Sequence, residues 1–181
     1  MKKRKKKMLK IDTETYLIGI TRGDSAGIVF GAKDKEGKTY EPQVGNVLKF
    51  AVVKKWGGEP LMDIQNTLSS LPTTYAEAAP TEEEYELEPT HYYTKSGTTY
   101  TQCTSADAYD SEETYYVLDY SAFWTISITT EDWLENGADK FKFQDYKWDL
   151  QLTTSTGADT IIGKTDDIEP TFRVWGEAAE E

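Results

Sequence analysis

The sequence predicts a mainly β protein, an antiparallel two-sheet β-sandwich with one small β subdomain inserted into it, on three observations. Apolar residues recur with a period of two along most of the chain. Gly, Asp, Asn and Pro punctuate these runs about every ten residues, the rhythm of short strands joined by tight turns. Residues 69–121 break the pattern with a composition of their own. At 181 residues, 38% of them hydrophobic, the chain is long enough for one core of ordinary size plus an appendage.

In chain order, residues 16–20 are an apolar run, Arg22, Gly23, Asp24 and Ser25 a turn, and 26–32 a second strand ending at the polar stretch 34–38. The expectation is a hairpin-like strand pair. Gly23 permits a positive φ and Asp24 can accept from backbone N–H groups two residues on, which makes Arg22, Gly23 and Asp24 a structural turn. An integrin-type ligand would need the same triplet at an exposed, mobile loop tip rather than between two apolar strands. Residues 47–54 are the clearest strand, with Leu48, Phe50 and Val52 on one face and Val47, Lys49, Ala51 and Val53 on the other. Such near-continuous apolarity predicts a central position. Trp124, Ile126 and Ile128 alternate with Thr125, Ser127 and Thr129, while Tyr146, Trp148, Leu150 and Leu152 alternate with Lys147, Asp149, Gln151 and Thr153. Each has one dry face and one wet one. Residues 130–134 read as a short helical turn with Thr130 as N-cap, and 171–175 as a last strand. Leu48, Phe50, Val52, Trp124, Ile126, Trp148 and Leu150 are the expected core between the sheets. The body comprises residues 9–68 and 122–176, followed by a polar tail over 177–181.

The insertion, 69–121, holds 11 acidic residues, a single base (Lys95) and nine of the 12 tyrosines. Thr73-Thr74-Tyr75 leads to Tyr92-Tyr93 as Thr98-Thr99-Tyr100 leads to Tyr115-Tyr116, Tyr-to-Tyr spacings of 17 and 15 residues, which implies two copies of one hairpin-like unit. A structureless loop of this length is improbable in a compact domain, and Tyr and Thr favour strands. Tyr92, Tyr93, Tyr115 and Tyr116 are candidate contact residues, because Tyr offers large area at small rotamer cost. The competing reading makes most of these rings the subdomain's own thin core.

Charge is laid out unevenly. Lys2, Lys3, Arg4, Lys5, Lys6 and Lys7 form a basic arm, residues 1–8, on a chain of formal net charge −12. Residues 8–181 hold 14 basic and 32 acidic side chains, a net of −18. Such a body repels phosphates, so nucleic acid is an unfavourable partner, and the arm is expected on a neighbouring acidic subunit. Met8 is an alternative start, since the purine-rich codons of Lys and Arg resemble a ribosome-binding site. No apolar run approaches 18 residues, so no membrane span is expected, and residues 8–12 are too mixed for a secretory signal.

The lone Cys103 excludes an internal disulfide or a thiolate cluster, and the lone His91 excludes a multi-histidine metal site. There is no phosphate loop, dinucleotide fingerprint, nucleophile elbow or HExxH. Asp107, Asp110, Asp166, Asp167 and Glu169 lack calcium-loop spacing. The expectation is a protein that is not an enzyme and carries no cofactor or metal.

The runs Tyr16-Leu17-Ile18-Gly19-Ile20-Thr21-Arg22-Gly23-Asp24-Ser25, the strand ending Asp34-Lys35-Glu36-Gly37, Gly45-Asn46-Val47-Leu48-Lys49-Phe50, Ile126-Ser127-Ile128 with Glu131-Asp132, and Tyr146-Lys147-Trp148-Asp149-Leu150-Gln151-Leu152-Thr153 leading to Gly157 resemble the N-terminal domain of phage baseplate upper proteins. Related small tail or prophage accessory proteins share the plan. The resemblance covers about residues 9–68 and 122–175 and implies an immunoglobulin-like β-sandwich with a structural role in the virion. The Tyr-Tyr units look like small modules of phage structural proteins. Residues after 175 supply no helical stalk to present a receptor-binding protein, so the expectation moves from adaptor to a bridging or decorating subunit, in several copies, of the tail, baseplate or capsid surface. It would act through other virion proteins after assembly in the host cytoplasm. The alternative is a carbohydrate-binding or adhesion module. Trp124 and Trp148 occupy core phases, which leaves Trp56 and Trp175 as its stacking rings.

Overall fold

A computed structural model describes residues 10–12, 14–33, 37–76, 79–130 and 144–175. The basic arm, the expected helical turn with Trp133 and the polar tail lie outside the described residues. The chain is mainly β, with several sheets. In chain order the body contributes β1 (Lys10–Asp12), β2 (Leu17–Thr21), β3 (Ser25–Val29), β4 (Val47–Val53) and β5 (Pro60–Thr67). The insertion supplies β6 (Thr74–Ala76), α1 (Glu82–Leu87), β7 (Tyr93–Ser96), β8 (Thr99–Gln102) and β9 (Tyr116–Leu118). The body resumes with α2 (Ser121–Trp124), β10 (Thr125–Thr129), β11 (Gln144–Thr154), β12 (Gly157–Ile162) and β13 (Thr171–Trp175).

Seven strands make one large sheet in the order β1-β2-β13-β11-β4-β5, with β12 also on β11. β11 is the spine. It pairs with β4 over Lys147–Thr153, while its other edge takes β13 at its start and β12 at its end. The register sets Trp148 opposite Val52, Leu150 opposite Phe50 and Leu152 opposite Leu48, so every inward residue of one strand meets an inward residue of the next. All seven expected core residues are buried in a single cluster, joined by Ile18, Ile20, Phe172 and Val174. β3 and β10 form a separate two-stranded sheet whose Ile28, Ile126 and Ile128 join the same core.

Three expectations are corrected. β2 and β3 are not a hairpin: β2 pairs with β1 and β13, β3 with β10. The turn between them therefore carries the chain from one sheet to the other. The sheet is not wholly antiparallel, because β2 and β13 run parallel; these two strands, far apart in the sequence, meet by tertiary closure and need no short connection. Trp124 ends helix α2 instead of opening a strand, though it keeps the buried phase of Ile126 and Ile128. Three strands, β1, β5 and β12, carry too weak an alternation to stand out. In β5 the inward row is Met62, Ile64 and Asn66, and its last member is polar.

Gly19 marks where the outer face of the sheet is tight. A Cβ there would lie 2.5 Å from Cη2 of Trp175, whose indole covers the glycine from the neighbouring strand. Gly19→Ala is expected to push the ring away and destabilise the body by about 1–3 kcal/mol, as overpacking does. In a Trp175→Ala background the same change is expected to be neutral or favourable. Equal effects in the two backgrounds, measured by denaturant melts, would overturn the contact.

The insertion builds its own sheet in the order β6-β9-β7-β8. Its two ends meet: Asp119 N–H donates to Thr73 C=O at 2.8 Å, and Thr74 pairs with Leu118. The repeated units are not hairpins. Each runs strand, helical segment, strand, and the hairpin lies at the seam, where β7 pairs with β8 around Gly97. Thr81 and Glu84 start α1 with a reciprocal capping box, a Thr-x-x-Glu signal present in the sequence. Above this sheet Tyr85, Tyr92, Cys103, Tyr115 and Val117 form a second core, distinct from that of the body.

Candidate functional site

The predicted contact residues separate into buried and accessible groups. Tyr115 is 1% exposed and Tyr92 is also buried. Both face α1 and stack around Tyr85, at ring separations of 5.2 Å for Tyr115 and 5.7 Å for Tyr92. Their hydroxyl-bearing rings serve the subdomain's core and offer nothing to a partner, because a thin four-stranded sheet with one helical turn has few other apolar groups to bury. Burial raises the Tyr85 hydroxyl well above its ordinary range, reinforced by Cys103 beside it. Tyr93 and Tyr116 lie on the opposite face and stay half-buried. There Lys95 Nζ sits 5.2 Å from the Tyr100 ring and 5.5 Å from that of Tyr116, a cation held over two rings.

Arg22 and Asp24 are 2% and 8% exposed. Asp24 N–H donates to Thr21 C=O at 3.0 Å, and Gly23 has φ +79°, the value of a type II turn. Thr130 locks the turn from the other sheet: its buried Oγ1 accepts from Gly23 N–H at 2.9 Å, and its own N–H donates to Asp24 C=O. An adhesive loop cannot be presented from this position.

Trp56 and Trp175 do not make one platform. Trp56 Nε1 donates to Glu169 at 2.8 Å, just before β13, whereas Trp175 ends that strand, roughly 13 Å from its first residue at about 3.3 Å per residue. Each indole is tied to a structural neighbour. Lys2, Lys3, Arg4, Lys5, Lys6 and Lys7 lie outside the described residues.

One residue that sequence reasoning missed organises the joint between body and insertion. Glu41 Oε1 lies 2.9 Å from His91 Nδ1, while Oε2 accepts from Tyr93 and Gln102, each at 3.3 Å. Gln102 also donates to Thr90 C=O at 2.7 Å, and Thr39 N–H donates to Glu88. A single carboxylate of the body thus seats three side chains of the insertion. Burial, then neighbouring Tyr120 and Glu41, drives the Tyr93 hydroxyl far above its ordinary range, so it remains a donor to that carboxylate. No local signal marks Glu41, since its partners follow some 50 or more residues later.

The outer face of the large sheet is a lattice of charge pairs. Arg173 meets Asp145 through two hydrogen bonds of 2.6 and 2.7 Å, Lys147 meets Glu169 at 2.8 Å, and Lys49 meets Asp63 at 3.1 Å. The Arg173 guanidinium holds the Asp145 carboxyl below its usual range, and Lys147 with Trp56 does the same for Glu169. Asp149, between these pairs, is pushed up by burial. A recess of about 400 Å³ opens beside them, lined in part by Glu14, Asp145, Asp167 and Arg173. Among the described residues no group of three or more His, Cys, Asp or Glu is placed to hold a metal, and no helix is long and apolar enough to cross a membrane.

Comparison with protein-family models, with curated proteins and with solved structures finds no match.

Proposed function

We propose that the protein is a non-enzymatic structural component of a phage particle, a bridging or decorating subunit of the tail, baseplate or capsid surface that works through protein–protein contacts. The body would be an immunoglobulin-like sandwich of the kind that its resemblance to baseplate upper proteins implies. The observation that carries the reading is the two-part build: a sandwich-like body bears a separately cored subdomain, whose ends are hydrogen-bonded together and which is seated by a single carboxylate. This design holds an extra sheet at a set angle to a scaffold. The half-exposed face carrying Tyr93, Lys95, Tyr100 and Tyr116 gives that extra sheet rings to present. The carbohydrate-binding alternative has no comparable support, since the Trp56 N–H is committed to Glu169 and Trp175 to covering Gly19.

In this reading the basic arm lies on an acidic neighbouring subunit rather than on nucleic acid, because the −18 body would have to approach the same phosphates. The test is mass spectrometry and label imaging of purified particles, comparing the full chain with one beginning at Met8. Fixed-copy incorporation, weaker without the arm and weaker at high salt, is the expected result, since exposed charge pairs are screened over about 8 Å in physiological salt. Absence from particles would overturn the virion reading. Nuclease-sensitive retention would move the arm to nucleic acid.

A further inference from the structure

The edge of the large sheet formed by β5 has the geometry of a self-pairing strand. Leu68 N–H donates to Asn46 C=O at 3.0 Å and Leu68 C=O accepts from Gly45 N–H at 2.8 Å, so both backbone polar groups of Leu68 face the β4 side. Alternation then makes 48/66, 50/64 and 52/62 hydrogen-bonded pairs. The N–H and C=O groups of Asp63, Gln65 and Thr67 consequently point away from β4, and no described residue bonds to them. Natural sheets guard such edges with Pro, bulges, Lys or a covering element. Here Pro60 and the bulge at Leu61, between Pro60 and Met62, guard only the start, where Leu61 is 40% exposed. From Met62 to Thr67 the strand is regular and carries one charge, Asp63, already met by Lys49.

We propose that β5 pairs antiparallel with β5 of a second copy about a two-fold axis at Ile64, joining two large sheets into one. The side chains select this register. With Ile64 opposite Ile64 of the second copy, the half-buried inward face gains an apolar pair at its closest approach. Asp63 falls opposite Gln65, whose carboxamide already lies 3.5 Å from the Asp63 carboxylate within one chain and reaches the equivalent carboxylate across the axis. Asp63 and Gln65 of the second copy exchange two backbone hydrogen bonds, and the symmetric pair exchanges two more. Moving the axis to Asp63 sets carboxylate against carboxylate. Moving it to Gln65 sets Ile64 against Asn66, whose amide is committed to the carbonyls of Phe123 and Thr125. The interface is isologous and closes at two copies.

This inference deepens the assembly reading by naming a self-contact, and its test needs purified full chain alone. Absence from particles would leave the dimer standing, and a monomer would leave the assembly reading standing. Two chains of net charge −12 repel, so the dimer is expected to tighten with salt, opposite to contacts made by the arm. Sedimentation at about 100 μM, where a micromolar dimer is mostly associated, is expected to show two copies. Gln65→Pro deletes an N–H that β4 does not use, a place where an edge tolerates proline, and is expected to weaken association by about tenfold or more in a chain that stays folded. Ile64→Cys provides the second measurement. Facing residues of a non-hydrogen-bonded pair lie within disulfide reach, so oxidation is expected to yield a linked dimer, whereas Asp63→Cys is expected to yield none. A monomer at every salt concentration, a dimer unchanged in folded Gln65→Pro, or equal cross-linking at positions 63 and 64 would overturn the proposal.

Discussion

Replacing Trp148 with alanine is expected to cost the body about 3–5 kcal/mol, the range for deleting a buried large aromatic. The side chain is 2% exposed at the middle of the spine strand. Its ring lies 5.5 Å from Phe50 and 6.0 Å from Phe30, so it bridges the large sheet and the stretch following β3. Its Nε1 donates to Tyr16 C=O at 2.9 Å, which ties the start of β2 to the sheet's centre. The substitution removes the packing and takes from that carbonyl one of its two donors, the other being Thr171 N–H at 3.2 Å. Chemical denaturation with unchanged slope checks it. A loss under about 1 kcal/mol would mean that the strand phase is wrong.

Tyr85→Ala is expected to have a loss of similar size, but confined to the insertion. Tyr85 is fully buried, touches the rings of Tyr92, Tyr109 and Tyr115, and donates its hydroxyl to Ser105 C=O. It is the hub of a cluster that shares no buried residue with the core of the body. Hydrogen exchange is the suitable readout, because it separates local from global opening. Amides of β7 and β8 are expected to lose protection while those of β4 and β11 keep theirs. A matching rise of exchange in both sets would show a single cooperative unit, with Glu41 and its three partners as the coupling.

These two experiments address the parts of the molecule that its sequence made easiest to read. The buried faces of β4, β10 and β11 follow from alternation alone, since a period of two leaves one choice of inward row. The insertion stands out because nine tyrosines and 11 acids crowd into one segment. Tyrosine itself is ambiguous: the same ring suits a contact surface or a thin core. Tyr92 and Tyr115 proved to be core, whereas Tyr93 and Tyr116, each next in the chain to one of them, face the other way. Adjacent positions on a strand point to opposite faces, and only the placement of α1 chose which face became dry.

What the residues dictated locally is therefore the set of strong strands, the turn at Gly23 and the separateness of the insertion. Pairing was decided elsewhere. That β2 leaves β3 for a parallel partner at the far end of the chain depends on Phe172 and Val174 lying beside Ile18 and Ile20, contacts across some 150 residues that no window of sequence contains. The same holds for Thr130 closing a turn 107 residues away and for Glu41 collecting His91, Tyr93 and Gln102. Local propensity acts through backbone angles and neighbours a few positions away, so it specifies elements. Partner choice depends on which buried faces and unpaired polar groups satisfy one another once the chain has closed, and that is settled only in three dimensions.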